Sequence, residues 1–180
     1  TAVGQGSLTA AGTGTEPART AARELMSTVR GLLAKALSQG GAAAAIHICS
    51  DSAQVVGERL SKQHHLSIRR VSERWRNAKD SPDTFEAMEL QRFSKLIRSG
   101  VSADSIETVQ VVVEDSARVL RYMKPILVGE MCLSCHGDAA TMKPAVVEAL
   151  KVRYPGDRAL GYSTGDLRGA VSVKIPVPGR

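Results

Sequence analysis

Apolar residues recur at Leu25, Val29, Leu32, Leu33 and Ala36, a spacing of three and four that puts them on one stripe of a helix reaching Leu37. Thr15-Glu16-Pro17 predicts the start of that helix, a capping residue ahead of a first-turn proline, and Gly40-Gly41 predicts its end. Residues 42–49 are apolar almost throughout and fit a helix or a buried strand equally. Ser50 or Asp51 can cap a second helix carrying Val55, Val56 and Leu60 before the polar run Lys62-Gln63-His64-His65. Ile68 and Val71 predict a strand over 67–72, and 74–79 reads as a polar loop. Ser81-Pro82-Asp83 opens a helix whose apolar face is Phe85, Met88, Phe93, Leu96 and Ile97.

Beyond Gly100 the pattern changes to β-rich runs at 106–113 and 119–128, joined through Glu114-Asp115-Ser116, which predicts an antiparallel hairpin. Pro125 implies that the second strand bulges or meets an edge there. Lys143-Pro144 opens a short helix through Leu150, turns follow at 154–157 and 161–165, and 169–177 is a last strand. Helices followed by antiparallel strands with inserted helices describe an α+β domain. Residues 1–15, mostly Gly, Ala, Thr and Ser, read as a flexible leader ahead of a single domain spanning 16–180.

Composition adds one point. Hydrophobic residues make up 43% but aromatics only 3%, so the core is built from Ala, Val, Leu and Ile, and a planar apolar cofactor would add the bulk it lacks. The net charge of +6 suits an acidic redox partner or bound anionic groups. The basic residues are scattered, with Arg69-Arg70 and Arg74-Trp75-Arg76 the densest clusters, and no long basic run points to nucleic acid. No stretch approaches the ~18 uninterrupted apolar residues of a membrane span.

The most specific chemistry lies in Cys132-Leu133-Ser134-Cys135-His136. Two cysteines separated by two residues, with histidine next, form the attachment signature of c-type haem. Each thiol can add to a vinyl group, and the histidine is delivered to the iron as the proximal ligand. The bland alternatives are a redox cysteine pair, which should open a helix after a parallel strand, or half of a zinc site, which lacks ligands. Haem c attachment takes place outside the bacterial cytoplasm, so the expected location is the periplasm after removal of a signal peptide.

The opposite axial position has several candidates. Met142 follows His136 too closely to cross the macrocycle, while Met123 and Met131 sit in or beside an apolar strand and suit packing. His64 and His65 end a polar helix and should face solvent. Cys49 is the odd cysteine, either an inert buried thiol or a thiolate ligand favoured by a helix start just beyond it. His47 is its rival, since in a strand it would share the Cys49 face. Arg69, Arg70 and Lys124 are candidate partners for haem propionates, Arg70 foremost, and Asp166 could pair with Arg168.

Six segments, Ala45-Ile46-His47-Ile48-Cys49, Ile68-Arg69-Arg70-Val71-Ser72 with Arg76-Asn77, Tyr122-Met123-Lys124-Pro125-Ile126, the Cys132–His136 motif with Gly137, 154–162 and 165–170, carry a resemblance. In their order they resemble the PAS-like c-type haem domains with His/Cys axial ligation, first described from a cyanobacterial protein of unknown function and related to the purple heterodimeric cytochrome c of anammox bacteria. The resemblance runs from Pro17 onward and departs at Ser52-Ala53-Gln54, where relatives carry Ala-Pro. It implies a PAS-like antiparallel sheet backed by helices, one covalent haem on Cys132 and Cys135, axial ligation by His136 and Cys49, and pairing as a homo- or heterodimer. The expected function is redox or diatomic-gas (NO/CO) sensing rather than enzymatic catalysis, with a separate redox or signalling protein as partner. Low-potential electron transfer by a permanently six-coordinate haem is the alternative.

Overall fold

The longest element is a 37-residue helix, α1 (Thr9–Ala45), in a computed structural model that describes residues 9–178. It begins six residues before the expected Thr15 start, so residues 9–15 are helix rather than leader, and residues 1–8 lie outside the described residues. The expected stop at Gly40-Gly41 is a break inside it, where two helices meet. Gly41 leaves helical geometry (φ 70°, ψ −171°), which is open to a residue without Cβ, and the chain kinks there and re-enters helix through Ala45.

Residues 42–49, open between helix and strand on sequence, complete α1 and then pass into a single π-helical turn, Ile48–Ser52, in which the Ser52 N–H reaches the His47 carbonyl at 3.2 Å. That turn runs directly into α2 (Ala53–His64). The expected cap at Ser50 or Asp51 is therefore replaced by a helical path that starts earlier, at Ile48.

Four strands follow: β1 (Ser67–Val71), β2 (Thr108–Glu114), β3 (Ala117–Leu127) and β4 (Leu167–Val177), in one antiparallel sheet of order β1-β4-β3-β2. The β2–β3 hairpin is as expected and closes through Asp115 (φ 49°) and Ser116 (φ 66°), a two-residue loop whose positive φ values match strand twist. Pro125 lies on an inner strand, yet β2 ends opposite Met123. Strand alternation points the missing Pro125 N–H toward that vacated side, and the β3–β4 register shifts just beyond, between Ile126 and Leu127.

The sheet is covered on both faces, which makes the fold α+β. α1 and α2 bury Leu25, Leu60, Tyr122 and Val173 on one face. On the other, α3 (Thr84–Arg98) buries Leu90 and Phe93 against Met123 and Ala170. Asp83 and Glu86 form a capping box that starts α3 at the predicted place. The second half of α1 runs past the sheet. It packs beside two short helices, α4 (Leu133–His136) and α5 (Pro144–Arg153), and this overhang forms the site.

Candidate functional site

A 3₁₀ turn, Glu130–Cys132, leads into α4, so Cys132, Cys135 and His136 fall on consecutive helical turns. Spacings of three and four residues bring the two sulfurs and the imidazole to one side of the backbone. The Gly137 N–H closes the turn on the Leu133 carbonyl at 3.0 Å, and a Cβ at Gly137 would lie 2.8 Å from that same oxygen. Segment 159–162 is laced onto the motif, with Tyr162 N–H to His136 O at 2.9 Å and Gly161 N–H to Gly137 O at 2.8 Å.

His136 is buried and donates from Nδ1 to the Ala159 carbonyl at 2.7 Å. A carbonyl only accepts, so this bond fixes the proton on Nδ1 and leaves the Nε2 lone pair free, the form of imidazole that binds metals. Burial holds the His136 pKa well below its usual value, and the nearby Arg168 and Arg76 charges act in the same direction. The ring is therefore neutral at physiological pH. Tyr162 meets it edge-on at 6.2 Å, and the Arg74 guanidinium stacks over Tyr162 at 4.1 Å. Burial raises the Cys135 thiol pKa, so the thiol is protonated where it stands.

Arg76, placed by sequence in a polar loop, is the residue that holds the motif. It is 4% exposed, pairs with Asp157 at 2.9 Å, and donates to the Cys135 carbonyl at 2.5 Å and the Ala159 carbonyl at 3.3 Å. One buried guanidinium thus ties 74–79 to both α4 and the loop that orients His136. Nothing in composition or periodicity distinguishes Arg76 from its exposed neighbour Arg74.

The crevice beside the motif is walled by Leu33, Leu37, Ala45 and Ile46 of α1 and the residue after it, Cys49 of the π-turn, Arg76, Met131, Cys132, Cys135 and His136. It thus gathers all three cysteines and the histidine of the motif across an apolar lining. Its cavity volume is only about 10 Å³, far below the roughly 300–1,000 Å³ of small-molecule sites, so the walls lie nearly closed on one another. Met131, 44% exposed, is the wall with space to swing outward.

The other candidates are placed elsewhere. His47 is exposed and its segment is not a strand, so it does not share the Cys49 face. His64 is half-buried against α1, 2.9 Å from Glu24, rather than facing solvent, and His65 is exposed. Met123 is core, and Met142 packs with Ile46 and Leu150. Arg70, expected near propionates, is outside the crevice lining and borders a separate hollow with Asp80. Arg69 pairs with Glu86 and donates to two carbonyls, and Lys124, donating to the Asp104 and Ile106 carbonyls, is outside the crevice lining. Asp166 does not pair with Arg168: it accepts from the Ser163 N–H, while Arg168 donates to Ser72 Oγ.

The bland readings of the motif lose their structural support. The sheet is antiparallel, and α4 does not follow a parallel strand, unlike a thioredoxin-type cysteine pair. Among the described residues no group of three or more His, Cys, Asp and Glu side chains is arranged to hold a metal ion alone, as a zinc site requires.

Fold and site together define a family of α+β proteins, and the Tll0287-like family model matches residues 11–176. The chain belongs to the Tll0287-like family. A solved structure described as the cyanobacterial heme-protein Tll0287 shares the fold with a TM-score of 0.60 at 20% identity, over 97% of this chain and 99% of that one. No curated protein matches the chain.

Proposed function

We propose that the chain is an exported, periplasmic mono-haem c-type cytochrome that acts as a redox or diatomic-gas sensor and is not an enzyme. Cys132 and Cys135 would bond the haem covalently, with His136 and Cys49 as axial ligands. The observation that carries this reading is the single crevice holding Cys49, Cys132, Cys135 and a neutral His136 with Nε2 free. Membership of a family with a solved heme protein supports it.

Bound there, haem would supply a one-electron couple and, at a free axial position, a site for NO or CO. The residues set the terms of that chemistry. His136 is oriented by Ala159 and kept neutral by burial, so its Nε2 is ready to donate. Leu33, Leu37 and Ile46 exclude water. Cys49, as thiolate, would favour the oxidised iron, and protonation of its Sγ after reduction would release that position. Because Cys49 sits in a π-turn between α1 and α2, its release would move the junction of two helices and pass the signal to a separate redox or signalling protein, or to the second subunit of a dimer.

Two spectra test this. The Cys49→Ala variant is expected to lose the thiolate–iron charge-transfer bands of the oxidised protein, and their persistence would refute Cys49 ligation. Titrating NO into the dithionite-reduced protein is expected to shift the Soret band. An unchanged six-coordinate spectrum would leave low-potential electron transfer as the function.

A further inference from the structure

A second hollow, about 500 Å³, lies between α1 and the β3 side of the sheet, clear of the cysteine crevice. Its volume falls within the range of roughly 300–1,000 Å³ of small-molecule sites. The floor is apolar, from Met26 of α1, Ile126 of β3 and Val171 of β4, with the buried Tyr122 beside them. The rim is cationic. Arg23 and Arg30 stand seven residues apart, two turns along one face of α1 with Met26 between them, and Lys124 faces them from β3.

The charges on this rim are not all neutralised. Arg19 is consumed by a bidentate pair with Glu107, and Arg23 makes two exposed contacts, an ion pair with Glu16 at 3.0 Å and a hydrogen bond to Thr20 Oγ1 at 3.1 Å. Lys124 donates only to backbone carbonyls, which leave its charge standing. With Glu16, the lining Asp104 and Glu107 make three carboxylates against Arg19, Arg23, Arg30 and Lys124, so the local excess is one positive charge, and Arg30 is the cation with no ion pair among the described residues. Burial and the adjacent Glu107 carboxylate hold the Tyr122 phenol above its usual pKa, so it is a neutral wall and not a competing anion.

We infer that this hollow binds a small monocarboxylate with a compact apolar body, its carboxylate on Arg30, Arg23 and Lys124 and its body on Met26, Ile126 and Val171. A planar guanidinium fork matches a carboxylate, and the apolar floor gives no partner to the remaining oxygens of phosphate or sulfate. The same helix continues from Arg30 to Leu33 and Leu37, which wall the cysteine crevice. A ligand on this face therefore bears directly on the element that borders the proposed haem site.

The test is calorimetric titration of the full chain, as purified, with hexanoate, hexanol and inorganic phosphate in turn. Hexanoate is expected to bind one to one with a dissociation constant on the order of 1 mM or tighter. Hexanol and phosphate should each bind at least about tenfold more weakly, since one lacks the charge and the other the apolar body. The exposed double variant Arg23→Glu/Arg30→Glu, with its fold checked by circular dichroism, should lose hexanoate binding. No saturable heat from the parent at about 10 mM hexanoate would overturn the inference. So would equal affinity for hexanol or phosphate, or binding undiminished in the double variant. A Soret shift on adding hexanoate that survives in the double variant would put the ligand in the cysteine crevice instead.

Discussion

Arg76 carries a full positive charge where almost no water reaches it, and it does so with one carboxylate and two carbonyls around it. A buried charge is tolerable only with such partners, and removing it would strand Asp157 as an uncompensated buried anion. Arg76→Ala is therefore expected to destabilise the fold by about 3–5 kcal/mol in a denaturant melt and to lower the yield of haem-loaded protein. Arg76→Lys should rescue only part of this, because an ammonium cannot reproduce the fork that spans Asp157, Cys135 O and Ala159 O. A melt of Arg76→Ala within about 1 kcal/mol of the parent would show that Arg76 does not organise the motif.

At the scale of elements, the site depends on how closely β1 approaches β4. Gly169, at the start of β4, passes so near the end of β1 that a Cβ there would sit 2.2 Å from the Val71 carbonyl oxygen and 3.2 Å from Ser72 Cβ. The neighbouring Ser72 also takes up the Arg168 side chain, so this contact fixes the strand ends behind His136. Gly169→Ala is expected to cost about 1–3 kcal/mol, read from thermal or chemical unfolding, because backbone and not a flexible side chain must yield. A neutral effect would mean that β1 moves freely against β4. The break in α1 at Gly41 is another element-scale device, for it turns the end of the helix toward the π-turn that carries Cys49.

At the scale of the whole molecule, ion pairs join the layers. Arg19 of α1 grips Glu107 ahead of β2, and Arg121 of β3, 1% exposed, holds Asp83 ahead of α3 and Glu114 at the end of β2. The hydrogen bond from Arg19 lowers the Glu107 pKa, and the one from Arg121 lowers that of Glu114, in each case below the usual 4.5. A carboxyl whose folded-state pKa lies below its unfolded value stabilises fully above the unfolded value and loses that contribution as pH falls through the folded one. The melting temperature is therefore expected to hold above about pH 5 and to decline below about pH 4.5. Glu107→Gln should melt lower at neutral pH and show a shallower acid decline. An acid profile identical to that of the parent would show that the Arg19–Glu107 pair contributes nothing to it.

Hydrophobic spacing and turn chemistry are local, and so they determined what lies close in the chain: α3 with its Asp83 cap, the β2–β3 hairpin, Pro144 opening α5, and the Cys132–His136 motif whose chemistry needs only short spacings. The same local logic placed the break at Gly41 but set the start of α1 six residues late, and it could not decide residues 42–49 between helix and strand. What only the tertiary structure decided is long-range. Arg76 joins Asp157, Cys135 and Ala159 across 59 to 83 residues of chain, Ala159 accepts from His136 across 23, and Cys49 rather than His47 lines the crevice with Cys135. Arg70 lines a separate hollow, near enough for its charge to act on His136, while Arg76 is drawn into the crevice wall. Whether an arginine is a solvated surface charge or a buried clamp depends on where distant carboxylates and carbonyls come to rest. That is settled by the packing of α1, the sheet and α4 against one another.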